Sequence, residues 1–270
     1  LLSSCSRVVL GWRVAPWVLE HEGARWLGLT GAERKRFGAE GRRWLQQVGR
    51  DLAPELARLS AAVSEAVARG DDAEALARVF NDLPPLWDRL LEPALEPLSG
   101  WMTRDPLRCA AALEKVFAEG EARDARRPSQ PERLAAERER KMREGLKDWV
   151  GELTPAQEGP LREWGALPYP LELYRADRAR RQAALLQRLR SRADAPSVRR
   201  ELERWWMEPE KDRDPAYEKA LQEYRRRSRE VGLRILRSLH PAQREYLSRR
   251  LRALAEDFAA VARLCAEEYP

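Results

Sequence analysis

Two histidines, His21 and His240, and three cysteines without a CxxC pair are all that 270 residues offer for zinc. With so few soft ligands and no zinc-like spacing, no donor set exists, and neither metal nor cofactor is expected. The chain also lacks a G-x-S-x-G elbow, a phosphate-binding loop, a dinucleotide fingerprint and an H-E-x-x-H helix. The common hydrolase, nucleotide and metalloprotease chemistries therefore lack their machinery, and no enzyme is expected. Glycine is scarce, at 15 residues, and no alternating β-branched run of useful length occurs, which excludes sandwiches and barrels. No apolar run approaches the roughly 18 residues of a membrane span.

Blocks of one charge are missing too. The 50 basic and 44 acidic residues leave a net charge of +6, but the signs alternate, as in Glu137-Arg138-Glu139-Arg140-Lys141. Interleaving of this kind marks solvated helix faces, and the short run Arg225-Arg226-Arg227 reads the same way. No nucleic acid partner is expected.

Among what is present, Leu2-Ser3-Ser4-Cys5 stands out. An apolar residue three places before a cysteine, with small residues between, is the pattern at which bacterial lipoproteins are cleaved and acylated. Cys5 would then carry two or three acyl chains, each buried CH₂ contributing about 0.8 kcal/mol, enough for lasting membrane attachment. Residues 1–5 would be the remnant of the signal peptide and the lipidated cysteine. Ser6 in the next place permits sorting to the outer membrane in enteric bacteria, whereas Asp would favour the inner membrane. The expected address is the periplasmic side of a Gram-negative outer membrane. Cys109 and Cys265 fall on apolar helical stripes and read as small buried hydrophobes. A periplasmic address would also permit a disulfide between them.

The rest reads as helix throughout. A Trp-rich lead (Trp12, Trp17, Trp26) enters a long run in which Phe37, Leu45, Val48, Leu52, Leu56, Leu59, Val63 and Val67 recur every three or four residues. Pro54 should kink it, and Gly70-Asp71-Asp72 should end it and start another helix. Five prolines between Leu83 and Pro106 predict short helices joined by bends. Pro128-Ser129-Gln130-Pro131 is the best linker, dividing an N-terminal helical region, 6–127, from a C-terminal one, 128–270, packed on it as one body. Tyr217, Leu221, Tyr224, Ser228, Val231 and Ile235 form one a/d seam; Leu247, Leu251, Leu254, Phe258, Val261 and Cys265 form another. The short connection between them predicts an antiparallel hairpin. The fold class is all-α: an elongated bundle of long amphipathic helices closed by a C-terminal hairpin.

One helix-start motif occurs three times: Leu29-Thr30-Gly31-Ala32-Glu33, Leu153-Thr154-Pro155-Ala156-Gln157 and Leu239-His240-Pro241-Ala242-Gln243. Its physics is the capping box: a side chain accepts an early backbone N–H, proline sits at N1, and Gln or Glu reaches back from N3. Leu153 can staple onto Leu161 or its neighbours near the first turns. His240 is a poorer cap than Thr154.

Leu153 to Gln157 matches in full the Leu-Thr-x-x-Gln motif, and the chain here resembles the small periplasmic helical chaperones that cradle unfolded clients on a curved basic surface. A longer likeness runs through the lipobox, the aromatic lead, the helix starts, Arg178-Ala179-Arg180-Arg181-Gln182-Ala183-Ala184-Leu185-Leu186, Asp214-Pro215-Ala216-Tyr217 and Pro241-Ala242-Gln243-Arg244. Over nearly its whole length the chain looks like an uncharacterised family of helical proteobacterial outer-membrane lipoproteins. That resemblance implies an address and an architecture, with only the lipidated Cys5 carried over as a site residue. Gly31 and His240 depart from the motif.

The expected function is a membrane-anchored, non-catalytic body that binds envelope proteins or unfolded polypeptides, as chaperone or scaffold. The alternative is a cell-wall-directed enzyme or regulator using Glu208 and Glu210 beside Trp205 and Trp206, because acids beside aromatics are common in sugar sites.

Overall fold

The computed structural model describes residues 7–126 and 130–267. Cys5, Ser6 and the linker residues Pro128 and Ser129 lie outside them, as does the expected 127/128 boundary. Among the described residues the chain forms ten helices and no strand, the all-α bundle its composition predicts.

The Trp-rich lead is itself a helix, α1 (Arg7–Leu27), and Gly28 at φ 67° turns it into α2 (Gly31–Arg69). α2 continues past Pro54 without a break, for 39 residues, about 58 Å at 1.5 Å per residue. Its end is as the sequence predicts: Gly70 adopts the left-handed conformation at φ 77°, and the Asp71 carboxylate accepts the Glu74 N–H at 3.0 Å.

α3 (Asp72–Arg104) departs from expectation. Pro84, Pro85, Pro93 and Pro97 all lie inside one continuous helix, not between short ones. Each proline removes a donor and crowds the carbonyl four residues back. Both ends of α3 are anchored, by Ala75 in one buried cluster and by Leu95, Trp101 and Met102 in another. The carbonyls that lose donors to Pro84 and Pro85 belong to Phe80 and Asn81, on a stretch whose residues are all exposed. Tertiary packing overrides the local signal.

α4 (Pro106–Ala125) and α5 (Pro131–Val150) follow, then α6 (Pro155–Ala166), α7 (Leu171–Arg190) and α8 (Ala195–Trp206). α9 (Pro215–Arg237) and α10 (Pro241–Glu267) complete the chain.

The C-terminal hairpin is not formed. α10 lies along α2, while α9 packs on α6, α3 and α7. The α2–α10 pair is antiparallel. Arg244 near the start of α10 binds Asp72, the first residue of α3 just past the end of α2, and Cys265 near the end of α10 lies against Gly49 of α2. Between them Ser64 Oγ donates to Ser248 O at 2.9 Å, and Ser248 Oγ to Ser64 O at 3.2 Å. The seam read from α10 is genuine, with Leu247, Val261 and Cys265 buried, but its partner is far away in sequence. Serine and glycine at the crossing let the two backbones come close. Cys109 and Cys265 lie in different apolar clusters and are not joined to each other.

Two of the repeated helix starts interlock. Gln157 and Gln243, both almost fully buried, exchange amide hydrogen bonds: Gln157 Nε2 to Gln243 Oε1 at 2.8 Å, and Gln243 Nε2 to Gln157 Oε1 at 3.2 Å. Each amide also reaches the carbonyl two residues before the other cap, Ser238 at 3.4 Å and Glu152 at 2.7 Å. The same oxygens accept the Thr154 and His240 N–H groups at 2.9 and 3.3 Å, and His240 Nδ1 accepts the Gln243 N–H at 3.4 Å. This local two-fold arrangement makes the α5–α6 and α9–α10 corners pack on each other and points α10 away from α9 towards α2. Leu153 packs against the cluster that holds Leu161, Val231 and Ile235. In the first copy Glu33 replaces Gln and binds Arg108 of α4 at 2.8 Å.

The core is divided. The largest cluster gathers α1, α2, α3, α4, α7 and α8, drawing on both sides of the 127/128 linker. Smaller ones lie at the α2–α10 seam and under α6 and α9. The molecule exposes 16128 Å², where a compact chain of its 31.1 kDa exposes about 12,000 Å². The excess fits an extended body with thin helical layers.

Candidate functional site

The largest cluster encloses a half-open cavity of about 470 Å³. Five helices build most of it. α4 supplies Phe117 and Gly120, α8 supplies Trp205 and Trp206, and Leu185, Met102 and Trp26 come from α7, α3 and α1. Phe117 and Trp205 meet with ring centroids 6.3 Å apart. Gly120 matters because a side chain there would meet nothing within 4 Å, so its missing Cβ contributes to the open space.

Trp205 is held from below by one buried cation. Arg181 of α7 donates Nη1 to the carbonyls of Arg204 and Trp205 at 3.1 and 3.4 Å, and Nη2 to Pro209 O at 2.6 Å. Its Nε binds Asp177 at 2.8 Å. The guanidinium thus takes up the Arg204 and Trp205 carbonyls, two of the last four of α8, which have no partner inside the helix. It fixes the turn that carries both tryptophans.

The mouth is polar. Glu22, Arg123, Arg178 and Gln182 line it. Arg178 binds Asp124 at 2.6 Å and lies 5.5 Å from the Tyr174 ring. Glu22 pairs with Arg25, which also binds Glu119 of α4 at 2.7 Å. Arg123 donates Nε to the Glu119 carbonyl at 3.4 Å, leaving its terminal nitrogens without a carboxylate partner among the described residues. An apolar interior behind an arginine and an amide suits an apolar side chain or chain segment whose ends carry acceptors.

Of the residues singled out from sequence, Trp205 and Trp206 line this cavity, whereas Glu208 and Glu210 do not. Glu208 is turned to Lys211. Glu22 is the one carboxylate among the described lining residues, so no carboxylate pair converges here. His21 stacks on Trp17 at 4.2 Å and His240 caps α10. Cys5 lies outside the described residues.

Sequence reading missed Phe117, Gly120, Gln182 and Arg181 as a group because they come from distant helices. A buried arginine in the α7 run and a glycine inside an otherwise strong α4 were the available signals. In comparison with known proteins, no family model, no curated protein and no solved structure matches the chain.

Proposed function

We propose that this is a membrane-anchored lipoprotein of the Gram-negative envelope, attached through acyl chains on Cys5. Its helical body binds apolar segments of envelope polypeptides without catalysing a reaction. The observation that carries the binding part is the half-open aromatic cavity of about 470 Å³ with Arg123 and Gln182 at its mouth. Its volume suits two or three large apolar side chains, the content of one helical turn or a short extended segment. An exposed apolar row on α3 (Val79, Phe80, Leu83 and Trp87) supplies further contact for a longer client. The resemblance to the Leu-Thr-x-x-Gln chaperones and to helical outer-membrane lipoproteins points the same way.

The test is suppression of aggregation. The full chain with Cys5→Ser should hold a reduced, denatured client in solution without ATP, saturating near one or a few copies per client. Gly120→Leu should remove most of this effect, because a Cβ at this lining position meets nothing within 4 Å and the larger side chain takes up cavity space. The substitution should not destabilise α4, since glycine inside a helix costs about 1 kcal/mol relative to better helix formers. If the variant protects the client as well as the parent, the cavity is not the binding site. If the parent does no better than an inert helical bundle of equal charge, the chaperone reading fails.

A further inference from the structure

Helix α1 is apolar on two sides, and only one of them is used by the fold. Val8, Val9 and Trp12 pack into the cluster made with Ala53, Val261 and Cys265. On the opposite side Leu10, Val14, Trp17 and Val18 are 54, 47, 63 and 43 % exposed. At 100° per residue these four fall within an arc of about 100° and run for about 12 Å along the helix. Single exposed hydrophobes are ordinary, whereas a continuous stripe containing a tryptophan marks a contact surface. Between Arg7 and Leu19 the helix carries arginines, Arg7 and Arg13, and no acid; both arginines are exposed. An apolar face with Trp and with basic residues as its only charges has the composition of a helix lying in a lipid interface.

We propose that this face of α1 lies in the headgroup region of the bilayer that holds the Cys5 acyl chains, fixing the orientation of the body. The proposal rests on the lipoprotein reading for its choice of occupant. Cys5 stands two residues before Arg7, a span of at most about 7 Å. A lipid there keeps the first turns of α1 against the membrane surface, so the bilayer is the apolar medium closest to the stripe. Trp17 supplies an amphipathic ring of the kind that settles at that depth. Glu22 and Trp26, which line the cavity, stand one and two turns beyond Val18 on the same helix. A body held by this face therefore presents its cavity close to the membrane surface.

The test uses the full chain carrying Cys5→Ser, so that no acyl chain contributes, and vesicles of phosphatidylethanolamine and phosphatidylglycerol at 7:3. The chain should co-float with the vesicles, and a nitroxide attached through Val14→Cys should be more accessible to oxygen than to a nickel chelate. The double variant Leu10→Glu, Trp17→Glu should reduce the bound fraction at least tenfold while leaving the thermal melt in place, since both side chains point outward. No flotation of the parent, or equal flotation of the double variant, overturns the proposal. So does a dimer in sedimentation velocity that the double variant abolishes, because a second copy then covers the stripe. The anchor is read separately, by whether Cys5→Ala in the precursor moves the protein from the membrane fraction to the periplasmic extract. Release by Cys5→Ala without vesicle binding by the Cys5→Ser chain keeps the lipoprotein reading and discards the face.

Discussion

At Cys109 the environment decides the chemistry. Burial among Trp101, Met102, Leu113 and Leu189 pushes its thiol up to about 12, with the neighbouring Arg108 only partly offsetting it. At pH 8.5 the reactive thiolate is then roughly a thousandfold rarer than for an ordinary thiol. Iodoacetamide should leave the Cys109 peptide unmodified in the folded protein and label it fully in guanidinium, as read by mass spectrometry. Equal labelling in both states would place Cys109 at an accessible position. The same cluster shows how a single residue can shape the site. Arg181 offers a planar fork to three carbonyls at once, which a lysine with its point charge cannot reproduce. Both properties belong to residues whose sequence neighbourhoods look ordinary.

At the scale of elements, the helix boundaries were largely legible and the helix partners were not. Thr154, Asp71, Gly70 and Asp214 act locally, through caps and turns, so their signals survive without knowledge of the fold. The seam on α10 is equally local, but its partner α2 lies 184 residues away at the Ser64–Ser248 contact, and periodicity carries no address. Proline misled in α3 because packing at the helix ends outweighs one lost donor per proline. The cavity was hidden because its walls come from six helices. The pairing of Gln157 with Gln243 was hidden too, although both were singled out as capping residues. Their joint burial gives a test. Gln157→Ala or Gln243→Ala alone should each cost about 1–3 kcal/mol, since each leaves a buried amide and backbone groups without partners. The double variant should cost less than the sum, by about 0.5 kcal/mol or more in denaturant melts, because the second change removes a group already unpaired. Strict additivity would mean that the two corners are not coupled.

Across the whole molecule, arginine–carboxylate pairs sit at most of the joints between helices. Arg108 binds Glu33, Arg143 binds Glu158, Arg178 binds Asp124, Arg199 binds Glu96 and Arg244 binds Asp72. A body with a divided core depends on such links more than a compact one does, because no single apolar cluster spans it. Arg178–Asp124 and Arg244–Asp72 are largely shielded from solvent, whereas the other three are more open and such pairs contribute little singly, but here they recur from joint to joint. Their pH dependence has a definite sign. Hydrogen bonding to Arg108 holds the Glu33 carboxyl below its ordinary value of 4.5, and Arg143 does the same for Glu158. At Glu218 burial pushes upward, yet Arg213 and Gln222 outweigh it and the carboxyl again ends low. A carboxylate with a lowered folded pKa contributes stability that is fully present above its unfolded value and lost as pH falls through the folded one. The melting temperature should therefore stay nearly level from pH 8 to about 5 and fall below about 4.5. Glu33→Gln combined with Glu158→Gln should flatten that fall and lower the plateau slightly, with 0.5 M salt narrowing the difference between parent and variant. An acid profile that the double variant leaves unchanged would assign the loss to other carboxylates and take these two joints out of the account.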